Sequence, residues 1–407
     1  MSSWVLHGVY GRSRLTLLMA LVLAVSAAVP AVGAAAATAT AQDGPVDATT
    51  ADAGSADADS LARTQADCGY PYSAEDATGT EVTLEERPER ITTLNPSAAQ
   101  TMWEIGGEDQ VVGVTQYASY LEGADERENV SAAGFGVSVE TVVGTNPDLV
   151  LAPNASSAET VQALRDAGVT VFHFPAATTI EDVREKTTRI GRLTGNCAGA
   201  AETNAWMDAN VDAAAEATAD VDDVRVIYPL GGGYVAGTET FIDAMVSVSG
   251  GANVAAERNL TGYPQVNDEV VVELAPDYLV VTGFSAYLVG QEPYASTPAV
   301  ENDDVVEVNR SWMNQPAPRS VVMGVRSLTE GFHPEAAAEA EFRSRQEVAA
   351  SMETETATAT ATPATTAEAE STGTTDADGT STATPGFGVV AALFAVLSSA
   401  LLARRAR

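Results

Sequence analysis

Residues able to carry out catalysis are few in this chain and are scattered along it. The three histidines, His7, His173 and His333, lie in different parts of the sequence, and none stands beside Cys68 or Cys197. The sequence shows neither the spacing of a zinc site nor a nucleophile grouped with a base. We therefore predict that the protein is not an enzyme, that it holds no metal site and that it carries no cofactor of its own.

A second group of residues has the chemistry of small-molecule recognition. Aromatic and polar side chains follow several predicted buried strands, and ligands of α/β sheets bind at the carboxyl ends of strands. Aromatic rings in such loops can stack on a flat ligand, which gives a large contact area at low entropic cost. The alternative is ordinary packing of these rings in the core or at its rim. The candidate ligand-binding residues are Asn95, Pro96, Ser97, Tyr117, Phe135, Tyr234, Tyr263 and Trp312.

The elements that position these residues alternate between strand and helix. The first are a strand at 91–94, a helix at 98–105 capped by Ser97, and a strand at 111–115. The alternation predicts an α/β fold with mainly parallel sheets. The glycines at 231–233 lack the Gly-Lys-Ser/Thr ending of a phosphate loop, and we interpret them as a strand-to-helix turn that lets a ligand approach the backbone.

Two stretches of the chain match each other at a constant offset. Residues 139–153 read VETVVGTNPDLVLAP and residues 268–282 read DEVVVELAPDYLVVT, which matches Glu140 with Glu269. This duplication predicts two related lobes, with a cleft between them as the ligand site. Residues 179–219, which lie between the copies, are predicted to form one long helix, with a break near Gly195 as the alternative. The predicted domains are lobe one at 67–178, the interlobe helix at 179–219 and lobe two at 220–350.

The composition of the chain restricts its partners and its surroundings. The chain has 407 residues and a net charge of −35, and Lys186 is its only lysine. A protein that binds nucleic acid needs a basic face, so that class is excluded. Such an acidic chain suits concentrated salt, where the Debye length falls to about 3 Å at 1 M. We therefore predict a salt-adapted, halophilic source.

Both ends of the chain have the composition of targeting segments. Residues 1–36 combine a basic start, an apolar run and small residues, as in a secretory signal peptide. Residues 37–66 are predicted to be a disordered acidic spacer, and residues 351–384, rich in Thr, Ala and Glu, an extended stalk. Residues 385–407 join Pro-Gly-Phe to an apolar run and arginines, and they resemble the PGF sorting signal of archaeal surface proteins. In that family the tail is replaced by a lipid; the alternative is an uncut membrane anchor.

Export also bears on the cysteines and on glycosylation. Two cysteines in an exported chain predict a disulfide between Cys68 and Cys197. The candidate glycan sites, each in an Asn-x-Ser/Thr triplet, are Asn129, Asn154, Asn259 and Asn309.

Two longer segments carry a family resemblance. Residues 87–115 read RPERITTLNPSAAQTMWEIGGEDQVVGVT and residues 263–282 read YPQVNDEVVVELAPDYLVVT. They are similar to the first-lobe and second-lobe signatures of the vitamin B12 and iron-siderophore class of periplasmic-type binding proteins. The resemblance implies the class III architecture, an α/β fold with two mainly parallel-sheet lobes joined by a single long helix. It also implies that the protein serves an ATP-driven ABC importer, with a membrane permease and an ATPase as partners.

The same resemblance implies roles for the cleft and for the paired carboxylates. In this family one acidic residue of each lobe docks onto arginines of the permease, and Glu140 and Glu269 occupy the matching positions. Stabilisation of two helix N-termini by these charges is the alternative. The YPQV stretch favours cobalamin or a related corrinoid as the transported ligand. The rival is a ferric siderophore or haem, and Tyr117 or Tyr263 could serve as the iron ligand of haem.

An alternative from another class is a structural surface protein with a closed cleft and no ligand. In either case we expect a monomer that is exported and tethered by its C-terminus to the outer face of the cell membrane.

Overall fold

The computed structural model describes residues 68–134 and 136–360, with side chains up to residue 354. The predicted signal peptide, the acidic spacer, most of the stalk and the sorting signal lie outside the described residues. Within the described part, the chain forms an α/β protein built on two parallel sheets, as predicted.

The first lobe is built on a five-stranded sheet. A separate antiparallel hairpin of β1 (Tyr72–Glu75) and β2 (Glu81–Leu84) precedes it. The sheet contains β3 (Ile91–Thr93), β4 (Val111–Val114), β5 (Glu128–Asn129), β6 (Leu149–Ala152) and β7 (Val171–His173), in the order β5-β4-β3-β6-β7. Its helices are α1 (Pro96–Glu104), α2 (Val139–Gly144) and α3 (Ala158–Asp166). Every strand pair is parallel, so all the carboxyl ends meet at one edge.

Helix α1 is capped by Asn95 and not by Ser97, so the predicted cap is wrong. The Oδ1 atom of Asn95 accepts a hydrogen bond from the backbone N of Ser97 at 2.9 Å, and Pro96 takes the first helical position. Proline suits that position because its missing N–H would have no partner within the helix. Ser97 consequently lies inside the first turn, where it is 1% exposed.

Two helices, rather than one continuous helix, connect the lobes. They are α4 (Ile180–Thr194) and α5 (Cys197–Thr218). Gly195 ends α4 in the left-handed region with a φ of 71°, which glycine adopts without strain. The prediction of a single helix is therefore wrong, and the alternative of a break near Gly195 is confirmed.

Helices α4 and α5 pack side by side in opposite directions. Arg184 on α4 bonds to Asp208 on α5 at 2.6 Å, and Thr188 bonds to Asn204 at 2.9 Å. The N-terminal part of α4 and the later turns of α5 pack into the core of lobe two, whereas the end of α4 packs into the core of lobe one. This helical hairpin therefore spans both hydrophobic cores.

The second lobe carries a four-stranded parallel sheet in the order β11-β8-β12-β13. The sheet contains β8 (Val224–Ile227), β11 (Gly251–Asn253), β12 (Tyr278–Val281) and β13 (Val305–Glu307). A separate hairpin is formed by β9 (Pro229–Gly231) and β10 (Tyr234–Val235). The helices of this lobe are α6 (Phe241–Val248), α7 (Asp268–Leu274), α8 (Pro298–Glu301), α9 (Arg310–Met313), α10 (Pro318–Phe332), α11 (Pro334–Glu339) and α12 (Arg345–Thr360). The glycines at 231–233 turn this hairpin, all with positive φ, so the predicted strand-to-helix turn is wrong.

The predicted disulfide is present between Cys68 and Cys197, with Cα atoms 5.8 Å apart. It ties the segment before β1 to the first residue of α5 across 129 residues of sequence. Reduction should lower the free energy of unfolding by about 2–5 kcal/mol, because the reduced unfolded chain regains the entropy of a long loop. Urea unfolding with and without reductant measures this difference. A Cys68→Ser/Cys197→Ser variant that does not respond to reductant is the control, and equal stability of the oxidised and reduced wild type would contradict the prediction.

Candidate ligand-binding cleft

The wall of the cleft on lobe two is formed where three parallel strands end. Phe284 follows β12, and Arg310 follows β13 as the first residue of α9. They line an open depression together with Gly283, Glu307, Val308 and Asn309. The Phe284 ring is 60% exposed, and the Arg310 guanidinium carbon lies 5.0 Å from its centroid. Tyr228, which follows β8, is buried, and burial raises the pKa of its hydroxyl.

The hairpin of β9 and β10 brings two predicted tyrosines to the same wall. Tyr234 lies on β10 and pairs with Gln265, and the backbone N of Val235 bonds to the carbonyl of Pro264 at 3.1 Å. The YPQV segment therefore packs along the hairpin and places Tyr263 close to Tyr234. Both rings are about half exposed. Desolvation raises the pKa of Tyr263.

The wall of the cleft on lobe one is formed by the residues that follow β3 and β4. Asn95 is partly exposed at the start of α1, but Pro96 and Ser97 are buried beneath it. Tyr117 lies in a short 3-10 turn directly after β4 and is 45% exposed. This wall therefore exposes the Asn95 amide and the Tyr117 ring to solvent, whereas Pro96 and Ser97 are buried.

Two predicted ligand residues are not placed on this surface. Phe135 lies outside the described residues. Trp312, on α9, is half buried and packs against the core of lobe two. Its indole therefore supports the wall that Arg310 presents.

Four exposed residues of the two lobes were not predicted from the sequence as candidates. Tyr120, Phe284 and Tyr287 are exposed aromatic side chains, and Arg310 is an exposed cation. The rule that ligands meet the carboxyl ends of strands would have selected Phe284, which comes three residues after the end of β12. Tyr120 lies in a loop, where burial of a ring cannot be inferred from periodicity. Burial raises the pKa of its hydroxyl to about 12, although the ring edge is accessible.

Below the cleft, lobe one contacts lobe two through polar side chains. Ser97, Gln100 and Glu104 recur on one face of α1 at spacings of three and four. The Oε1 atom of Gln100 accepts bonds from the backbone N and the hydroxyl of Ser320 at 3.1 and 3.2 Å. These bonds hold α1 of lobe one against the start of α10 in lobe two.

The only lysine of the chain is buried in this junction. The Nζ atom of Lys186, on α4, donates to the carbonyl of Pro316 and lies 3.5 Å from the hydroxyl of Ser97. The side chain is 7% exposed, and no carboxylate in the described part of the chain lies within ion-pair distance of it. Burial without a counter-ion penalises the charged form and lowers the pKa of Lys186 to about 7.

This shift predicts that stability rises with pH above neutrality. Between pH 7 and 10.5 the native Lys186 is mainly neutral whereas the unfolded side chain still binds a proton, so raising the pH favours the native state. Relative to Lys186→Met, the wild type should gain about 2–3 kcal/mol of unfolding free energy between pH 7 and pH 9. Urea unfolding at both pH values measures the gain.

The charged groups around Lys186 set the control for this measurement. Asp182, Glu185 and Arg189 share its helix, and Glu75 and Asp76 face the same small pocket from the first hairpin. Arg189→Met removes a cation from the same helix and should leave the pH dependence intact. Parallel pH profiles of wild type and Lys186→Met would contradict the prediction.

Comparisons with known proteins agree with this architecture. Residues 91–311 match the family model described as periplasmic binding protein. A cobalamin-binding protein of Halobacterium salinarum is 49% identical over 279 residues, which are 65% of this chain and 75% of the relative. An uncharacterized ABC transporter substrate-binding lipoprotein of Bacillus subtilis is 30% identical over 65% of this chain and 87% of its own length.

The chain belongs to the periplasmic binding protein family. Among solved structures, a periplasmic heme-binding protein of Roseiflexus in the apo form matches with a TM-score of 0.56 and 25% identity, over 61% of this chain and 99% of that protein. The relatives are binding proteins, so this member is a solute-binding protein of an ABC importer and not an enzyme. The described residues contain no cluster of His, Cys, Asp or Glu that could hold a metal ion.

The C-terminus of this binding protein carries a recognised anchoring signal. Residues 384–406 match the PGF-CTERM motif, one residue offset from the predicted segment. The protein is therefore exported and held at the cell surface by its C-terminus. Among the helices that the structure describes, none has the length and apolar character needed to cross a membrane.

The duplicated carboxylates occupy equivalent positions in the two lobes of this binding protein. Glu140 is the second residue of α2 and Glu269 is the second residue of α7, and both are exposed. The N-caps are provided by Ser138 and Asn267, whose side chains accept bonds from the backbone at 3.2 and 2.9 Å. Neither glutamate has a hydrogen bond or an ion pair to another described residue, so neither is needed as a cap.

The C-terminal ends of α2 and α7 are also equivalent, because an arginine binds the carbonyls at that end of each helix. The Arg90 guanidinium donates to the carbonyls of Thr145 and Asn146 at 2.6 and 2.9 Å after α2. Arg225 donates to the carbonyls of Leu274, the last residue of α7, and Ala275 at 2.7 and 2.6 Å. Asn146 and Ala275 both have positive φ, of 49° and 41°. The duplication therefore extends from sequence to a shared clamp that fixes the direction of each acidic helix.

Proposed function

We propose that the ligand delivered by this solute-binding protein is cobalamin or a related corrinoid. The observation that carries the proposal is the 49% identity to a cobalamin-binding protein over 65% of this chain. The walls carry half-exposed rings, Tyr117 on lobe one and Tyr234 and Tyr263 on lobe two, which suit the flat face of a macrocycle. The protein itself would supply packing and hydrogen bonds, and the metal would arrive with the ligand.

Haem or a ferric siderophore is a second candidate ligand. The fold match to a heme-binding protein supports it, and Tyr117 or Tyr263 could coordinate iron through its oxygen. Desolvation raises the pKa of Tyr263, which disfavours the phenolate that iron would require. The corrinoid therefore remains the better supported ligand.

Titration in molar salt tests the choice of ligand. The full-length protein is titrated calorimetrically with cobalamin, cobinamide, haem and a ferric chelate. We expect one-to-one saturation by a corrinoid, and weaker binding in Tyr263→Ala, which deletes a ring from the wall. Tyr278→Ala, which deletes a ring that packs against Phe332 at 5.5 Å, is the control for lost stability. Saturation by haem or the ferric chelate alone would contradict the corrinoid proposal.

We further propose that Glu140 and Glu269 dock this protein onto its permease. Their equivalent positions, their exposure and the absence of partners among the described residues support the proposal. Each would meet an arginine of the permease, one per lobe, so that the two lobes bind together.

Further proposals concern the domain bounds, the oligomeric state, the anchor and the glycosylation of the chain. We propose that the folded part comprises lobe one at 67–178, the connecting segment at 179–219 and lobe two at 220–350. We also propose that the protein is a monomer, that its C-terminal anchor is a lipid and that it is glycosylated. The four candidate asparagines, Asn129, Asn154, Asn259 and Asn309, are all exposed, which supports glycosylation.

A further inference from the structure

Arg310 stands out among the charged residues of the cleft because it is a cation without a counter-ion. The chain has 56 acidic residues against 21 Lys and Arg, yet no carboxylate of the described part forms an ion pair with Arg310. Its neighbour in the depression, Glu307, is not bonded to it. An exposed guanidinium that stays unpaired in so acidic a protein is available to an anionic ligand.

The position of Arg310 is set by the fold on two sides. It is the first residue of α9, and the Asn309 side chain before it accepts a bond from the Ser311 backbone N at 2.8 Å, which caps the turn. The guanidinium stacks over the Phe284 ring at 5.0 Å. A planar guanidinium held against a ring keeps its N–H donors free at the edge, where they match two oxygens of a phosphate or carboxylate.

We propose that Arg310 is a specificity-determining residue that binds an anionic oxygen group on the transported ligand, with Phe284 orienting its guanidinium. The inference rests on the proposed function, since it describes the same cleft. For a corrinoid the anionic group is the phosphodiester that links the nucleotide to the ring, and for haem it is a carboxylate. The aromatic rings of the walls bind the macrocycle, and Arg310 distinguishes ligands by their charged substituent.

A pair of corrinoids separates these two contributions. Cobalamin carries the phosphodiester, whereas cobinamide keeps the corrin ring and lacks it. We expect the wild type to bind cobalamin at least about tenfold more tightly than cobinamide, as for one charge-assisted contact. In Arg310→Gln the affinity for cobalamin should fall by about tenfold or more while the affinity for cobinamide stays unchanged. Arg310→Lys keeps the charge without the planar fork and should lie between the two.

The control is Arg326→Gln. Arg326 also stacks on an aromatic ring, since its guanidinium carbon lies 4.9 Å from the centroid of Phe342, but it belongs to α10 and not to a loop after a strand. This variant should leave both affinities unchanged. Equal loss of both corrinoids in Arg310→Gln, or no loss of either, would overturn the role of Arg310.

Haem binding distinguishes a failure of the corrinoid proposal from a failure of the proposed role of Arg310. If the wild type binds haem and neither corrinoid, the proposed ligand fails, and Arg310→Gln must then weaken haem binding for the role of Arg310 to survive. A wild type that binds none of these probes removes both proposals.

Discussion

Reversing Glu140 and Glu269 together should abolish import while leaving ligand affinity intact. In Glu140→Arg/Glu269→Arg, each lobe would present a positive charge to the arginines with which it is proposed to pair. Losing a desolvated charge pair in each lobe and adding repulsion should reduce uptake by about a hundredfold or more. The ligand cleft is formed by other loops, so calorimetric affinity for the ligand should match the wild type. Uptake of labelled ligand by cells that lack their own copy measures the effect.

Two controls separate docking from a general effect of charge. Glu216→Arg/Glu335→Arg makes the same change of net charge at exposed positions on α5 and α11, and it should leave uptake unchanged. The single variants should retain part of the activity, since one lobe can still dock. Molar salt should not rescue the double variant, because the docked charges are removed from the solvent that screens them. Normal uptake by the double variant would refute the docking role.

The matched positions of Glu140 and Glu269 were predictable because the duplication encodes them. A fixed offset between two copies of one motif identifies Glu140 and Glu269 without any knowledge of the fold. The clamp behind them was not predictable, because Arg90, just before β3, and Arg225, within β8, lie at different offsets from the motif. Only the pairing of β3 with β6, and of β8 with β12, brings each arginine next to its helix.

For the connection between the lobes, the sequence predicts helix but not how the two helices are arranged. Helical periodicity over 179–219 correctly indicates helix, and Gly195 marks a break, but periodicity does not tell the direction of the second helix. The reversal depends on Gly195 adopting the left-handed region and on close packing of Gly191 against Ala200, where an added Cβ would come within 2.6 Å. These are tertiary contacts that local pattern does not encode.

The residues of the cleft were predictable only in part. Tyr117 could be selected because it follows a predicted strand, and Tyr263 because it opens the YPQV stretch. The half-buried state of Trp312, in contrast, depends on which side of α9 meets the core. Lys186 is conspicuous in the sequence only as the single lysine. Its burial results from the Pro316 carbonyl, which lies 130 residues further along the chain. Residues whose role depends on such distant partners become visible only in the structure.

Replacing Glu104 by alanine should cost about 3–5 kcal/mol of unfolding free energy, the cost of breaking a buried ion pair from one side. The carboxylate of Glu104, on α1, is 4% exposed and pairs with Arg319 and with Arg345, the latter at 2.8 Å. Arg319 belongs to α10 of lobe two and Arg345 begins α12, the last described helix before the stalk. Without Glu104, two partly buried guanidinium groups would lose their counter-ion at the contact between the lobes.

Glu202→Ala is the matched control because Glu202 shares Arg345, at 2.9 Å, but is 37% exposed. An exposed pair contributes about 0–1 kcal/mol and is screened by salt, so this variant should lose little and nothing measurable in molar salt. The loss in Glu104→Ala should persist in molar salt, since the surrounding protein excludes the screening ions. Urea unfolding at low and high salt distinguishes the two variants. Similar losses in both would mean that the lobes are held by the apolar packing of α4 and α5 and not by this carboxylate.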